Sequence, residues 1–309
     1  MTIASTTRIG ITSPHIFRDG NVDMDLVRRY AARAEALGYA SLWTQERMTG
    51  DPPILDPITF LSYVAGHTTR VRLGVSVLVV PRHNPLHLAK QLASLDQMSG
   101  GRLIVGVGLG GSADDLPMYG MSPGRHVRRF IEHIEIMKAL WTGSPVSYTG
   151  DFYELDDVTI APAPAQKPHP PLWFGATAEP AIRRALRLGD GWTGAGNSSR
   201  DLFTENLKRV TGWLAEEGRD PVSFPISKRV YLAIDDDEER ARRRLEEWFA
   251  YFYGNAELPG RVAIWGAPGR VQEQLAAWAE AGVSEFILNP VFDLESHLEL
   301  LAEVTGLAS

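Results

Sequence analysis

The chain has 309 residues, a formal net charge of −7, an apolar fraction of 44% and no cysteine. The missing cysteines exclude disulfides, thiolate nucleophiles and cysteine metal sites. No basic stripe or arginine-rich tail indicates a nucleic-acid partner. The first residues, MTIASTTRIG, lack the basic start and apolar core of a signal peptide, and no apolar run approaches the roughly 20 residues of a membrane span. We therefore expect a cytoplasmic protein with a sizeable core.

Short apolar strands alternate with amphipathic helices along the sequence. The run from Val71 to Val80 is almost continuously apolar and β-branched, as expected of a parallel strand buried on both faces. Pro85 opens a helix, Gly100 and Gly101 end it, and Leu103–Val107 is the next buried strand. The eight predicted strands cover residues 8–13, 39–44, 71–80, 103–107, 172–174, 191–193, 227–234 and 284–289.

Eight strands, most of them followed by a helix, fit the length of an α/β fold of the (β/α)8 TIM-barrel type. A doubly wound open sheet is the alternative, but no clear dinucleotide fingerprint accompanies the eight units. We predict a single domain over residues 1–309. An insertion around 142–171 contains the hairpin-like VSYTGDFYEL and the proline-rich APAPAQKPHPP.

The run DDDEERARRRLEEWFAYFYG, residues 235–254, is a charged helix that turns aromatic at its end. One interpretation is a solvated helix that docks by its aromatic edge. The other is a lid around residues 248–265 that faces a substrate. The sequence leaves both open.

Polar and glycine residues follow several of the predicted strands. The carboxyl ends of the strands meet at one mouth of a TIM barrel, where active sites of this fold lie. Glu46 and Arg47 are either a surface ion pair, which contributes little energy, or functional groups at a strand end. The candidates at this mouth are His15, Glu46, Arg47, Ser76, Arg82, His83, Gly108 to Ser112, Gly175 to Thr177 and Trp192.

Two glycine-containing segments are candidate ligand loops. The segment from Gly106 to Gly111 lacks the spacing of a dinucleotide-binding loop, and we interpret it as backbone that closely approaches a flat ligand. Gly175-Ala176-Thr177 precedes a predicted helix, whose first N–H groups and dipole favour an anion such as a phosphate. Thr177 could instead be a simple N-cap.

The histidines give no metal site. His83 and His87 lie four residues apart and could chelate a metal from a helix face, but no acidic ligand lies near them in the sequence and His83 precedes Pro85. We expect the remaining isolated histidines to be surface or packing residues; they are His67, His126, His133 and His297.

Longer motifs resemble a known family. The stretch LDPITFLSYVAGHTTRVRLGVSVLVVPRHNPLHLAKQLASLDQMSGGRLIVGVGLG is followed by MKALWTGSPVSYTGDFYEL, QKPHPPLWFGATAEPAIRRALRLGDGW and GAPGRVQEQLAAWAEAGV. In this order they resemble the bacterial luciferase-like flavin-dependent oxidoreductases over nearly the whole chain. The resemblance implies a TIM barrel with insertions that binds FMN or the deazaflavin coenzyme F420 at its mouth.

The resemblance also assigns cofactor-binding residues. It implies a non-proline cis peptide at Ser76-Val77 beneath the flavin ring, and it implies that Gly108-Leu109-Gly110 runs beside the ring. The cofactor phosphate is expected at Gly175-Ala176-Thr177. Arg128 matches a basic residue that reaches this phosphate in some members, and Gly191-Trp192 matches a segment that closes the pocket.

The chain departs from the family pattern after the second strand. Many members carry Asp-His or Glu-His there, whereas this chain has Glu46-Arg47, and Gly111 occupies a position that is often acidic. An arginine cannot act as a proton-transfer base because it stays charged, but it can stabilise a peroxide, an enolate or an anionic substrate. The candidate catalytic residues, whose polar side chains would act on the substrate, are Glu46, Arg47, His15 and His83.

Together these features predict a luciferase-like oxidoreductase that uses reduced coenzyme F420 or FMN for hydride transfer to, or monooxygenation of, a small organic substrate. The Ser76-Val77 pair and the compact length resemble those of F420-using members of the family, and this resemblance favours F420 over FMN. Because members of the family are commonly dimers, the resemblance also implies a homodimer, with a flavin reductase as a candidate partner that supplies reduced cofactor. The alternatives are a non-catalytic flavin-binding carrier of the same fold and a metal-dependent TIM-barrel hydrolase.

Overall fold

The computed structural model describes residues 2–50, 52–111, 114–122 and 124–307. Its strands are β1 (Arg8–Thr12), β2 (Ser41–Thr44), β3 (Arg72–Val79), β4 (Leu103–Gly108), β5 (Val146–Thr149), β6 (Glu154–Val158), β7 (Leu172–Gly175), β8 (Gly191–Gly194), β9 (Ile226–Ile234), β10 (Ile264–Gly266) and β11 (Glu285–Pro290). Its helices are α1 (Met24–Leu37), α2 (Pro57–Ala65), α3 (Pro85–Met98), α4 (His126–Trp141), α5 (Glu179–Leu188), α6 (Arg200–Glu216), α7 (Glu238–Tyr253), α8 (Pro259–Val262), α9 (Pro268–Glu280) and α10 (Leu294–Thr305).

Eight parallel strands close into a barrel. They pair in the order β1, β2, β3, β4, β7, β8, β9 and β11, and β11 pairs with β1. The predicted TIM barrel and its eight strands are therefore confirmed. The short strand β10 was not predicted; it pairs with the end of β9, where Ile264 lies opposite Leu232.

Local sequence signals account for the helix starts. Asp23 caps α1 through its side chain, which accepts a hydrogen bond of 2.8 Å from the Leu26 N–H, as aspartate commonly does at this position. Asp56 and Asn84 cap α2 and α3 in the same way, each before a proline that fits the first helical turn. No helix in the part of the chain that the structure describes has the length and apolar composition needed to cross a membrane.

Large aromatic side chains fill the barrel interior. Trp43 and Trp173 pack with their ring centroids 5.6 Å apart, and Ile104 and Ile287 complete this buried cluster. Gly191 on β8 leaves the room that Trp173 needs, because a Cβ at this position would lie 2.6 Å from the indole Cδ1. The packing of the barrel core thus requires a glycine here.

The predicted insertion forms a hairpin and a proline-rich strap on the outside of the barrel. Strands β5 and β6 pair antiparallel. The carboxylate of Glu132 on α4 accepts hydrogen bonds of 2.8–3.0 Å from the backbone N–H groups of Asp151, Phe152 and Tyr153. The carboxylate of Asp96 on α3 accepts one hydrogen bond from the backbone N–H of Gln166 and one from its side-chain amide. These two buried carboxylates fasten the insertion to the helix layer.

The aromatic end of α7 packs against the barrel. Trp248 and Phe252 stack with centroids 4.6 Å apart, and this cluster contacts Tyr231 and Ala233 of β9. In this structure α7 packs against the barrel by its aromatic edge, and Phe252 also lies at the barrel mouth.

Two of the isolated histidines serve packing, as expected. His133 on α4 is fully buried, and its Nδ1 lies 3.1 Å from the carbonyl oxygen of Val80. His297 accepts a hydrogen bond from the Ile234 N–H. Burial lowers the pKa of His133 from its ordinary 6.5 to about 4, which links its protonation to folding.

We expect Gly191→Ala to destabilise the fold by about 1–3 kcal/mol, because the added methyl overpacks the barrel core against Trp173. Chemical denaturation followed by tryptophan fluorescence measures the free energy of unfolding. Gly212→Ala is the matched control, since Gly212 lies inside α6 and a Cβ there would have no other atom within 4 Å; it should stabilise the helix by about 0.5–1 kcal/mol. Equal effects of the two substitutions would contradict the packing argument.

We expect His133 to make stability depend on acid pH. The unfolded chain binds more protons between pH 6.5 and about pH 4, where folded His133 stays neutral, so its contribution to the free energy of unfolding falls as the pH drops through this range. The loss amounts to about 3 kcal/mol at most. His133→Gln keeps a donor for the Val80 carbonyl but does not titrate, so it should flatten the profile, whereas the exposed His67→Gln should leave it unchanged. Parallel profiles for all three proteins would refute the link.

Candidate active site

A cavity of about 510 Å³ opens at the carboxyl ends of the barrel strands. This volume lies in the range of small-molecule and cofactor sites. Eleven residues that the sequence analysis singled out line it: Glu46, Arg47, Ser76, Val77, Gly108, Leu109, Gly110, Gly111, Gly175, Ala176 and Thr177. The barrel thus brings together residues that lie up to 131 positions apart in the chain, from Glu46 to Thr177 (177 − 46 = 131). Ser112, at the end of one predicted segment, lies outside the described residues.

The floor of the cavity contains the Ser76-Val77 peptide, which is cis, as the family resemblance implies. The side chain of Val77 lies between the ends of β4 and β7. A Cβ on Gly108 would lie 2.5 Å from one Val77 methyl group, and a Cβ on Gly175 would lie 2.8 Å from the other. The Val77 side chain therefore requires a glycine at both positions. The sequence analysis had instead explained the glycines of β4 by close approach of the backbone to a ligand.

Glu46 and His83 form a buried pair at the edge of the cavity. One carboxylate oxygen of Glu46 accepts a hydrogen bond from the Val79 N–H, and the other lies 2.5 Å from Nε2 of His83. The Glu46 side chain is fully buried and that of His83 is 14% exposed. The pair joins the end of β2 to the turn after β3 and can hold or pass a proton. His87 lies on the exposed face of α3, and within the described ranges no three His, Asp or Glu side chains form a metal-binding cluster.

An aromatic wall closes the other side of the cavity. The guanidinium of Arg47 lies 5.0 Å from the ring centroid of Phe252, within the range of a cation–π contact. The hydroxyl groups of Tyr231 and Tyr253 are 2.9 Å apart. Part of the segment predicted as a lid or a docking edge therefore contributes Phe252 and Tyr253 to the cavity surface.

The loop Gly175-Ala176-Thr177 leads from β7 into α5. The N-cap of α5 is Ala178, and no side chain caps this helix, so the interpretation of Thr177 as its N-cap is wrong. Asn206 donates a hydrogen bond of 3.0 Å to the Thr177 carbonyl, and Trp192 donates one of 3.0 Å to the Ala176 carbonyl. These two hydrogen bonds hold the loop. No side chain caps the first turn of the helix, and the acidic Glu179 in that turn pairs with Arg183 and Arg209.

A buried lysine supports the loop after β8. Lys228 is fully buried, and its Nζ donates to the Ala195 carbonyl and, at 2.9 Å, to the Ser198 hydroxyl. Burial lowers the pKa of Lys228 from 10.5 to about 7. Residues 195–197 of this loop line the cavity, so Lys228 shapes the cavity from behind its wall.

His83 reaches the cavity only through Glu46, and Arg82 pairs with Asp115. Four more predicted site residues lie away from the cavity surface. His15 is buried beside a separate cavity of about 50 Å³. Arg128 lies on α4, where its Nε donates a hydrogen bond of 2.8 Å to Asp151. Gly191 and Trp192 are buried within the barrel wall; the first makes room for Trp173 and the second supports the Ala176 carbonyl. None of the four is among the residues that line the larger cavity.

The sequence analysis missed Arg229 and Tyr231, which line the cavity from β9. Every residue of β9 is buried, yet the strand carries Lys228 and Arg229 side by side. Two adjacent cations inside an otherwise apolar strand were a readable signal, since charged residues are rarely buried without a specific role.

Comparisons with known proteins agree with this geometry. The F420-dependent glucose-6-phosphate dehydrogenase of Amycolatopsis mediterranei is 31% identical over 235 residues, which cover 72% of this chain and 69% of that enzyme. The FMNH2-dependent dimethylsulfone monooxygenase of Pseudomonas putida is 30% identical over 235 residues, which cover 74% of this chain and 63% of that enzyme.

The fold is also shared with a solved structure. An F420-dependent secondary alcohol dehydrogenase, in complex with an F420-acetone adduct, superposes with a TM-score of 0.80 at 22% identity, covering 98% of this chain and 99% of that one. The profile of a family described as luciferase-like monooxygenase matches residues 7–259. The resemblance read from the sequence is confirmed, as is the prediction of an oxidoreductase enzyme. The chain belongs to the luciferase-like monooxygenase family.

Proposed function

We propose that this protein binds a flavin-type cofactor, coenzyme F420 or FMN, in the cavity at the barrel mouth. It uses the reduced form for hydride transfer to, or monooxygenation of, a small organic substrate. The observation that carries the proposal is the cavity itself, which joins the Ser76-Val77 floor to the uncapped N-terminus of α5. Relatives named for F420 and for FMNH2 support both cofactors; F420 remains the favoured one.

The residues present fit such a cofactor. A flat ring can rest on Ser76 and Val77 beside Leu109 and Gly110, and a phosphate can meet the Gly175–Thr177 loop, where the helix dipole of α5 is not balanced by a side-chain cap. Once bound, the cofactor supplies the redox chemistry. The protein holds it, orients the substrate and controls protons.

We assign proton control to Glu46 and His83. The hydrogen bond between Nε2 of His83 and the Glu46 carboxylate links two groups that can each accept or donate a proton. Arg47 replaces the histidine common in the family, and His83 brings an imidazole to the same edge of the cavity from a different strand end. Arg47 then serves to stabilise negative charge on a substrate, whereas His15 supports the barrel mouth from its separate cavity.

The proposal also covers three residues outside the cavity, the oligomeric state and the partner. Arg128, Gly191 and Trp192 would act on the cofactor only indirectly, through α4 and the barrel wall. We propose a homodimer with a cytoplasmic location, and a flavin reductase as supplier of reduced cofactor if FMN is used. Sedimentation velocity of the purified protein tests the dimer.

Cofactor binding tests the proposal directly. Purified protein titrated with F420 and with FMN, followed by cofactor fluorescence, should bind at least one of them at micromolar concentration. Failure of both would overturn the proposed function. A bound cofactor that stays reduced with oxygen and with every acceptor offered would favour the carrier alternative instead.

We expect Ala178→Asp to separate helix stability from phosphate binding. An aspartate at the N-cap stabilises α5 by about 1 kcal/mol, but its charge competes with the cofactor phosphate and should weaken cofactor binding about tenfold. Ala267→Asp is the matched control, because Ala267 is the N-cap of α9, also has no side-chain cap and lies outside the cavity. If both variants bind the cofactor like the wild type, the phosphate does not bind at α5.

We expect Glu46→Gln and His83→Gln to slow turnover by about 10²-fold or more, since each removes one partner of the proton-holding pair. Oxidation of the reduced cofactor by a panel of short-chain aldehydes and ketones, with and without oxygen, measures the rate, and fluorescence titration checks that cofactor affinity is retained. His87→Gln, on the exposed face of α3, should keep the wild-type rate. Wild-type turnover in both pair variants would remove the assignment.

A further inference from the structure

Arg229 is a buried cation at the cavity. It is 5% exposed, yet it belongs to the cavity lining. Its Nη1 donates a hydrogen bond of 3.0 Å to the carbonyl oxygen of Ser76, and its Nη2 lies 3.4 Å from Oδ1 of Asn289. Its Nε is buried and has no hydrogen-bond partner among the described residues. The guanidinium is thus fixed against the floor of the cavity.

None of the described carboxylates forms an ion pair with Arg229. Its two partners are neutral oxygens, and the carboxylate of Glu46, in the same cavity, is engaged by His83 and the Val79 N–H. The nearby His15 adds no second positive charge, because burial, and next the positive charge of Arg229, lower its pKa to about 4. A buried charge without a counter-charge is costly, so a bound group is expected to supply it.

The surroundings hold the guanidinium in place. It lies 5.3 Å from the ring centroid of Tyr231. Gly196 leaves space beside it, because a Cβ there would lie 2.7 Å from the Tyr231 ring and 3.4 Å from Cδ of Arg229. Packing of this kind keeps a charged group pre-organised, which is what electrostatic stabilisation requires.

We propose that Arg229 supplies the positive charge that stabilises the negative charge on the pyrimidine part of the cofactor ring, above all in the reduced ring. This inference rests on the proposed function, because it needs the ring to lie on Ser76 and Val77. The Ser76 carbonyl belongs to that floor, and Arg229 is bonded to it. Arg47 also lines the cavity, but it lies against Phe252 of the aromatic wall, on the side assigned to the substrate.

The test compares the affinities of the oxidised and reduced cofactor. FMN is the first probe, since its ring is neutral when oxidised and anionic when reduced. Arg229→Gln should weaken the binding of reduced FMN at least tenfold more than that of oxidised FMN. A tenfold difference corresponds to a fall of about 30 mV in the two-electron midpoint potential of the bound cofactor, which spectroelectrochemistry measures independently of turnover.

Two further variants complete the design. Arg229→Lys keeps the charge but loses the planar fork, so it should recover most of the difference. Arg18→Gln removes one positive charge from an exposed site outside the cavity and should behave like the wild type. If Arg229→Gln does not fold, Asn289→Ala, which frees one side of the guanidinium, should shift the potential in the same direction by a smaller amount.

The outcomes separate this inference from the proposed function. Wild-type protein that binds neither FMN nor F420 overturns both. The inference alone is overturned if the wild-type protein binds FMN and Arg229→Gln shows the same ratio of reduced to oxidised affinity as the wild type. If only F420 binds, whose deprotonated ring is anionic in both states, Arg229→Gln should weaken both forms at least tenfold and Arg229→Lys should restore them. A loss that the lysine does not restore, or that Arg18→Gln shares, overturns the inference.

Discussion

The hydrogen bond from Arg229 to the Ser76 carbonyl joins β9 to β3 across the mouth of the barrel. On the other side of the same peptide, the Val77 side chain occupies the space that Gly108 and Gly175 leave open. Strands β3, β4, β7 and β9 are therefore tied to one peptide unit, and the floor of the cavity cannot move without them.

Charge is divided between two sides of the cavity. The Glu46 carboxylate is satisfied within the protein, by His83 and by a backbone N–H. Arg229 is held by neutral oxygens, and none of the described carboxylates forms an ion pair with it. This division fits the proposed use of a reduced cofactor, because the cavity offers both a fixed positive charge and a pair that can exchange a proton.

The sequence predicted the fold well because its signals are local. Apolar strand runs, proline at a helix start and glycine at helix ends all act within a few residues, and together they indicated the eight strands and the insertion. The family motifs also placed Ser76-Val77 and the Gly175–Thr177 loop in the cavity. His15, Arg128 and Trp192 are among the predictions that miss the cavity surface. Each depends on the direction of a side chain at a strand end or on a helix, and hydrophobic periodicity does not determine that direction near a barrel mouth.

By itself, the sequence determined the alternation of strands and helices, the closed barrel and the set of strand ends that form its mouth. Only the tertiary structure decided why particular residues stand there. Gly191 is a glycine because Trp173, eighteen positions earlier (191 − 173 = 18), fills the barrel beside it, and Arg229 lacks a counter-charge because no described carboxylate reaches it. Both facts depend on contacts between strands that are distant in the chain, and such contacts exist only once the barrel has closed.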